Sequence, residues 1–249
     1  MLSKSCRISR SFVIVLVILS TTLTGCFGMI EGIKSRKILA EEKSLPRDSA
    51  GILIGAEPFS YPVEGSERAV LLIHGFGGTP FDLRLLGKYL SDNGIAAYGV
   101  LLPGFGTYEL DLEKTNWQQW SAGAEKVLDN LTARYKKVYI VGFSMGGSIA
   151  LHLAAKHNVA GVILLAPCIY INGQNMPITP EYAIKHLAQF LTTDFIINDE
   201  MRAFDFSALK GRPYYHLFPI KSLKELVGLE ETARGEVGAV EEPVLIIQS

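Results

Sequence analysis

The sequence predicts a layered α/β fold, in which a mostly parallel sheet is flanked by helices. Continuous apolar runs of strand length recur along the chain, and segments with helical spacing of apolar residues separate them. Such runs are typical of strands buried on both faces, and their alternation with helices indicates parallel βαβ units. With 249 residues, the chain is long enough for one domain with a sizeable core.

Composition excludes several classes of protein. The chain is 48% hydrophobic and 20% charged, which is typical of a globular protein, and its net charge of -1 argues against a nucleic-acid binder. Its three cysteines (Cys6, Cys26 and Cys168) form neither a C-x-x-C pair nor a zinc-like cluster. We therefore expect no metal site, and nothing in the sequence implies a cofactor.

Residues 1–25 are typical of a secretory leader. Basic Lys4, Arg7 and Arg10 precede the apolar run Phe12–Leu19, which is too short to span a bilayer comfortably as a helix. Leu23-Thr24-Gly25-Cys26 then resembles the lipobox of bacterial lipoproteins.

That resemblance implies cleavage after Gly25 and acyl chains on Cys26, which would anchor the protein to a membrane on the extracytoplasmic side of a bacterial cell envelope. A soluble secreted product and an uncleaved anchor are the alternatives. Residues 26–50, which are mixed and polar, are expected to form a tether. Only Cys168 would then remain as a thiol, and we expect it to be a small buried hydrophobe.

The first half of the core, in a domain expected over residues 51–167, follows the predicted alternation. A strand over Ala69–Ile73 leads into a loop, and Thr79 is expected to cap a helix that begins at Pro80 and ends at Asn93-Gly94. The buried face of this helix is expected to carry Leu83, Leu86, Tyr89 and Leu90. A second strand is predicted over Ile95–Leu102.

The second half repeats the pattern. An apolar stripe from Trp117 to Tyr135 predicts a helix, in which Trp117 and Trp120 are interpreted as core packing. The remaining predicted elements are a strand over Val138–Val141, a helix over Ser144–Ala155, a strand over Val162–Ala166 and a strand over Val244–Gln248. Residues 168–241 break the alternation, with helical pieces at Tyr182–Leu191 and Leu223–Leu226, and are interpreted as a cap inserted before the core resumes over residues 242–249.

A G-x-S-x-G pattern at Gly142, Ser144 and Gly146 indicates a nucleophile. Roughly 0.15 such matches are expected by chance in a chain of this composition, so the pattern alone is weak. Its position between a predicted strand and a predicted helix is what a nucleophile elbow requires. The alternative is a glycine-rich turn capped by Ser144, and the setting favours the nucleophile.

The loop His74-Gly75-Phe76-Gly77 follows the first core strand and is the expected second half of an oxyanion hole. In such sites, one backbone N–H comes from this loop and another from the residue after the nucleophile. The predicted donors are therefore the backbone amides of Phe76 and Met145. His74 is expected to organise the loop and not to act as a base.

These motifs resemble bacterial carboxylesterases and monoacylglycerol lipases of the α/β-hydrolase superfamily. The resemblance runs from about Pro58 to Ser249 and is strongest in HGFGGTP, VGFSMGG and VILLAP, whereas PGFG departs from the usual Gly-His-Gly. It implies an α/β-hydrolase fold with an inserted helical cap, and hydrolysis of a small-molecule acyl ester through an acyl-enzyme. Apolar cap residues suggest an acyl-chain pocket, although they could equally be cap core: Phe190, Leu191, Phe195, Ile196, Ile197, Phe204 and Phe206.

In this family an acid and then a histidine follow the nucleophile, both after the strand that Val244–Gln248 resembles. Neither appears at its family position, and the histidines present lie elsewhere: His74, His152, His157, His186 and His216. We therefore expect a C-terminally truncated hydrolase that lacks the last strand and helices and is impaired in activity. The alternative is a non-catalytic membrane lipoprotein remnant that binds hydrophobic ligands.

Overall fold

A computed structural model describes residues 34–170, 182, 184–185, 195–197 and 213–248. Its main feature is a six-stranded sheet in the order β1-β3-β2-β4-β5-β8. Strand β1 pairs antiparallel to β3, and all other neighbours are parallel. The strands are β1 (Phe59–Tyr61), β2 (Arg68–Ile73), β3 (Ala96–Val100), β4 (Lys137–Phe143), β5 (Gly161–Leu165) and β8 (Val244–Ile247).

Two further strands, β6 (Phe195–Ile197) and β7 (Leu217–Pro219), form a small antiparallel pair. The helices are α1 (residues 34–43), α2 (Phe81–Asp92), α3 (Glu109–Glu113), α4 (Trp117–Thr132), α5 (Met145–Ala154) and α6 (Ile220–Glu236), which continues into a short 3₁₀ turn, Val237–Ala239. Helix α4 begins with a capping box, in which the side chains and backbone amides of Asn116 and Gln119 bond reciprocally.

The main hydrophobic core lies on one face of the sheet. There α4, α5 and α6 bury apolar side chains, including Trp120, Ile149 and Leu229, against β2 and β4. The other face carries α2 and a smaller core around Val70 and Leu83. Beside α2, an apolar groove of about 290 Å³ runs across the sheet to Ile247. The sheet is thus covered more completely on one face than on the other.

The structure confirms the predicted fold class and most predicted elements, with three local differences. Thr79 does not cap α2, because its hydroxyl points to the Pro213 carbonyl at 3.4 Å and Pro80 takes the N-cap position. Tyr89 is 65% exposed and does not belong to the buried face of α2. Tyr135 lies beyond the end of α4, with its hydroxyl 2.7 Å from that of Tyr98.

The structure also differs from the predicted organisation of the chain. Within the expected tether, α1 buries one face, with Ser35, Ile38 and Glu42 all buried, and Glu42 accepts a hydrogen bond from the His216 N–H. Within the expected cap, α6 belongs to the main core, since Leu229 and Ala233 are fully buried there. Of the predicted acyl-pocket residues, Phe190, Leu191, Phe204 and Phe206 lie outside the described residues, and only the strand backbone of β6 is described for the others.

Among the described residues, no helix is long and apolar enough to cross a membrane.

Candidate active site

Ser144 occupies a strained turn between β4 and α5. Its backbone angles, φ 51° and ψ -117°, lie in a region that non-glycine residues rarely adopt. Hydrogen bonds hold the turn: the Ser144 N–H donates to Leu165 O (2.9 Å), and the Ser144 carbonyl accepts from the N–H groups of Gly147 (2.8 Å) and Cys168 (3.0 Å). This is the geometry of a nucleophile elbow, which presents the serine at the start of a helix.

The two glycines of the motif are required by close approach of neighbouring backbone. A Cβ on Gly142 would lie 2.2 Å from the Gly146 carbonyl oxygen, and a Cβ on Gly146 would lie 2.2 Å from the Ile73 carbonyl oxygen. These distances are far below van der Waals contact, so a side chain at either position would force the strand, the turn and the helix apart.

The loop after β2 lies directly beside Ser144. Strands β2 and β4 pair in parallel with Ile73 opposite Gly142, so the loops that follow them meet at one edge of the sheet. A Cβ on Gly75 would come within 3.2 Å of the Ser144 Cβ. In the described part of the chain, neither the Phe76 N–H nor the Met145 N–H has a hydrogen-bond acceptor.

His74 holds this loop to its neighbour. The fully buried ring bonds through Nδ1 to the Gly75 carbonyl (2.9 Å), and its Nε2 accepts from the Leu102 N–H (3.2 Å). These partners assign the Nδ1–H tautomer. Burial lowers the pKa of His74 to about 4, so the ring is neutral at physiological pH. Both nitrogens are occupied, and neither can take a proton from Ser144.

Aromatic side chains and Tyr215 support the loop from the outside. The Phe76 ring packs against Phe105, Trp120 and Phe218 at centroid distances of 6.0, 6.0 and 5.1 Å. Trp120 is fully buried, as core packing requires. The Gly77 carbonyl accepts from the Tyr215 N–H at 3.1 Å. The Phe76 amide is therefore held by contacts on both sides of the loop.

Tyr215 also bridges a second loop. Its buried hydroxyl donates to Gly104 O (3.0 Å) and accepts from the Thr107 N–H (2.9 Å), and burial raises its pKa to about 12. The role of Tyr215 does not show in the sequence, because its partners lie more than a hundred positions away. The only local signal was the aromatic cluster Tyr214-Tyr215 before β7.

Cys168 differs from the buried hydrophobe expected. It is a half-buried free thiol whose Sγ–H donates to Glu230 Oε1 at 2.8 Å, and Glu230 on α6 is itself fully buried. The sequence signal for this contact is that Glu230 lies at helical spacing from Leu226 and Ala233, both of which are buried. Through its own N–H, Cys168 also holds the Ser144 carbonyl.

No histidine in the described part of the chain forms a hydrogen bond with Ser144. His152 bonds through Nδ1 to Glu236 (2.6 Å), and His157 bonds through Nε2 to Glu125 (2.7 Å). The ring of His216 packs against Tyr214. His186 lies outside the described residues. Within the same described ranges, no cluster of His, Cys, Asp or Glu could hold a metal ion.

Comparison with known proteins places this site in a family. Residues 65–201 match the family model described as "Serine aminopeptidase, S33". Over 116 residues the chain is 38% identical to a thermostable monoacylglycerol lipase of Bacillus sp. (strain H-257). This alignment covers 45% of the chain and 44% of that protein. Over 200 residues it is 24% identical to a carboxylesterase of Bacillus subtilis (strain 168), covering 79% and 76%. The match to the lipase thus spans less than half of that relative's length.

Solved structures show the same fold. One of the metagenome-derived lipolytic enzymes LipS and LipT aligns with a TM-score of 0.64 at 23% identity, over 79% of this chain and 77% of that one. The monoacylglycerol lipase of Paleococcus ferrophilus aligns with a TM-score of 0.59 at 19% identity, over 76% of each chain. Because the family model spans more than half of its length, the chain belongs to the serine aminopeptidase S33 family of α/β-hydrolases, as a serine hydrolase of the lipase and esterase type.

Proposed function

We propose that Ser144 is the nucleophile of a carboxylic-ester hydrolase that acts on apolar acyl esters. The observation that carries this proposal is the strained elbow at Ser144, beside two backbone amides without acceptors in the described part of the chain. In the proposed reaction the Ser144 hydroxyl attacks the ester carbonyl and releases the alcohol, and water then hydrolyses the acyl-enzyme.

The Phe76 and Met145 amides would bind the carbonyl oxygen as it becomes an oxyanion. One such donor is worth about 3 kcal/mol of transition-state stabilisation. Helix α5 adds to this, because its N-terminus carries partial positive charge beside Ser144. His74 contributes indirectly: its bond to the Gly75 carbonyl fixes the peptide group that carries the Phe76 N–H, and the bond from the Leu102 N–H holds the ring in place.

Apolar esters are favoured by the surroundings of the site and by its relatives. The half-buried rings of Phe76 and Phe218 border the loop after β2, and they offer no charge to a polar acyl group. The two curated relatives are named as a monoacylglycerol lipase and a carboxylesterase. The family is named for an aminopeptidase, so peptide amides are a second candidate class of substrate, and an aminoacyl anilide tests for it.

Activity requires a base for the Ser144 proton, and the described histidines are engaged elsewhere. We therefore expect the 249-residue chain alone to hydrolyse esters near the background rate. Enzymes stripped of triad members retain roughly 10³–10⁴-fold acceleration over water, from the oxyanion hole and substrate binding. A small rate that depends on Ser144 is consequently expected.

The test measures hydrolysis of a short-chain activated ester and of an aminoacyl anilide by the purified chain. A second preparation carries a relative's C-terminal segment, which supplies an acid and a histidine. We expect ester hydrolysis to rise by orders of magnitude in the extended chain and to vanish in its Ser144→Ala variant. The control Ser91→Ala, at a half-buried serine on α2, should keep it.

Three outcomes would contradict parts of the proposal. Ordinary esterase rates in the chain alone, lost in His186→Gln, would make His186 the base. Preference for the anilide would make the chain a peptidase. Binding of an apolar ester without hydrolysis by the extended chain would favour the non-catalytic alternative, a lipoprotein that binds hydrophobic ligands.

Membrane attachment through Cys26 is a second part of the proposal. It is supported by the Leu23-Thr24-Gly25-Cys26 motif behind a basic and apolar leader. Expression in a bacterium with radiolabelled fatty acid should label the protein, and Cys26→Ala should abolish the label and leave the precursor uncleaved. Cys168→Ala is the matched control and should keep the label, and a label that persists in Cys26→Ala would overturn the assignment.

A further inference from the structure

Helix α1 is fixed to the body of the protein. Glu42 is buried, and its Oε1 accepts from the His216 N–H at 3.2 Å. The Arg47 guanidinium donates to the Glu42 and Leu45 carbonyls, at 3.1 and 2.9 Å, and reaches across to the Thr107 carbonyl at 3.1 Å. The end of α1 is thereby tied both to the segment before β7 and to the loop after β3.

These contacts place α1 near the catalytic edge of the sheet. The loop after β3 accepts a hydrogen bond at Thr107 from Arg47, four residues after α1, and at Gly106 from the Leu53 N–H (2.8 Å) farther along the chain. Since β3 and β4 run parallel within one sheet, the loops that follow them emerge at the same edge. Ser144 follows β4, so α1 and the nucleophile share this edge.

The exposed face of α1 is basic. Lys34, Arg36, Lys37 and Lys43 are all exposed, and the exposed acid on this helix, Glu41, lies 3.9 Å from Lys37. The face therefore carries a net charge of about +3, counted from these five residues. This contrasts with the whole chain, whose net charge is -1.

Only residues 27–33 separate Cys26 from this face, with the sequence FGMIEGI. A segment of that length spans at most roughly 25 Å when fully extended. Its composition is mainly apolar, which suits the boundary between headgroups and acyl chains. A lipid on Cys26 would therefore keep α1 near the bilayer surface.

We infer that the basic face of α1 lies against the anionic headgroups of the bilayer that holds Cys26, with the catalytic edge beside that bilayer. Each basic residue near an anionic surface changes partitioning by roughly fivefold, so a net charge of three favours this orientation by roughly 100-fold. The substrate then comes from the bilayer itself, as a membrane-partitioned acyl ester. The inference rests on the proposed lipid at Cys26.

The test compares two labelled sites in the full-length lipidated protein, in a Cys168→Ser background. A fluorophore is attached at Ala40→Cys, which is exposed on α1, or at Lys137→Cys, which is exposed at the opposite edge of the sheet. The protein is reconstituted in vesicles of equal parts phosphatidylglycerol and phosphatidylcholine that contain a headgroup spin-label quencher. We expect strong quenching at Ala40→Cys and little at Lys137→Cys.

Charge reversal by Arg36→Glu with Lys37→Glu should remove this contrast, as should vesicles of phosphatidylcholine alone. Lys88→Glu with Lys126→Glu, two exposed lysines away from α1, is the matched control and should preserve it. Equal quenching at both sites in vesicle-bound protein would overturn the orientation while leaving the anchor intact. If the protein carries no fatty-acid label and dissociates from the vesicles, the proposed lipid at Cys26 is wrong, and the proposed orientation is wrong with it.

Discussion

His74 illustrates at the scale of one residue how burial sets the charge of a group that normally titrates near neutrality. Its two hydrogen bonds, to Gly75 O and from the Leu102 N–H, require one nitrogen with a proton and one without. Protonation of Nε2 would turn an acceptor into a donor that faces another donor. The neutral form is therefore part of the structure of the loop after β2.

This predicts a pH dependence of folding stability. Because the pKa of His74 is lowered from 6.5 to about 4, the unfolded chain binds a proton more readily than the folded one. The contribution of neutral His74 to the free energy of unfolding is complete above pH ~6.5 and falls as the pH drops towards ~4. The total loss is about 3 kcal/mol. Urea unfolding across this range should show a shallower pH dependence in His74→Asn, whereas parallel curves for the two proteins would contradict the assignment.

At the scale of elements, Tyr215 joins two loops that are distant from it in sequence, the loop after β2 and the loop after β3. It binds Gly77 through its backbone and both Gly104 and Thr107 through its hydroxyl. We expect Tyr215→Phe to lower the free energy of unfolding by about 1–3 kcal/mol, because a buried N–H and a buried carbonyl lose their partner.

Tyr89→Phe is the matched control, since Tyr89 is 65% exposed on α2. Its urea midpoint should equal that of the parent protein. If Tyr215→Phe unfolds at the same urea concentration as this control, the hydroxyl does not support the loops.

Residues whose partners are close in the sequence could be predicted, whereas residues whose partners are distant could not. Ser144, Gly142 and Gly146 could be found because a tight turn between a strand and a helix needs those residues in consecutive order. Glu42 and Tyr215 could not, since their partners are set by how distant segments meet. The sequence also predicts a tether where α1 forms, because the buried residues Ser35, Ile38 and Glu42 include only one strongly apolar side chain and give no apolar stripe.

At the scale of the molecule, the apolar run at β8 shows the same limit. The sequence VLII predicts a strand, and the strand forms, but its four side chains are 42–57% exposed. An apolar run does not reveal whether other segments cover it. In the described sheet, β8 is an edge strand beside the apolar groove that ends at Ile247.

An exposed apolar edge strand favours association between chains. We expect the purified chain to self-associate and to bind a hydrophobic dye, and Ile246→Lys to reduce both. Leu85→Lys is the control: Leu85 is 77% exposed on α2 and does not line the groove beside β8, so its replacement should change neither. Light scattering and dye fluorescence measure the effect, and a monomeric parent chain that binds no dye would refute the expectation.

The order of the strands has a consequence for when the site can form during folding. From β2 the chain moves to β3 on one side of it and then returns to β4 on the other, so the sheet changes direction at a topological switch point. The Phe76 and Ser144 loops meet there although some seventy residues separate them in the chain. Pairing between strands so far apart in the chain is slow, because the entropy cost of closing a long loop comes before any stabilising contact forms. In the chain extended with a relative's C-terminal segment, Ser144 should therefore begin to react with a serine-directed phosphonate no earlier than the moment when β2 and β4 dock.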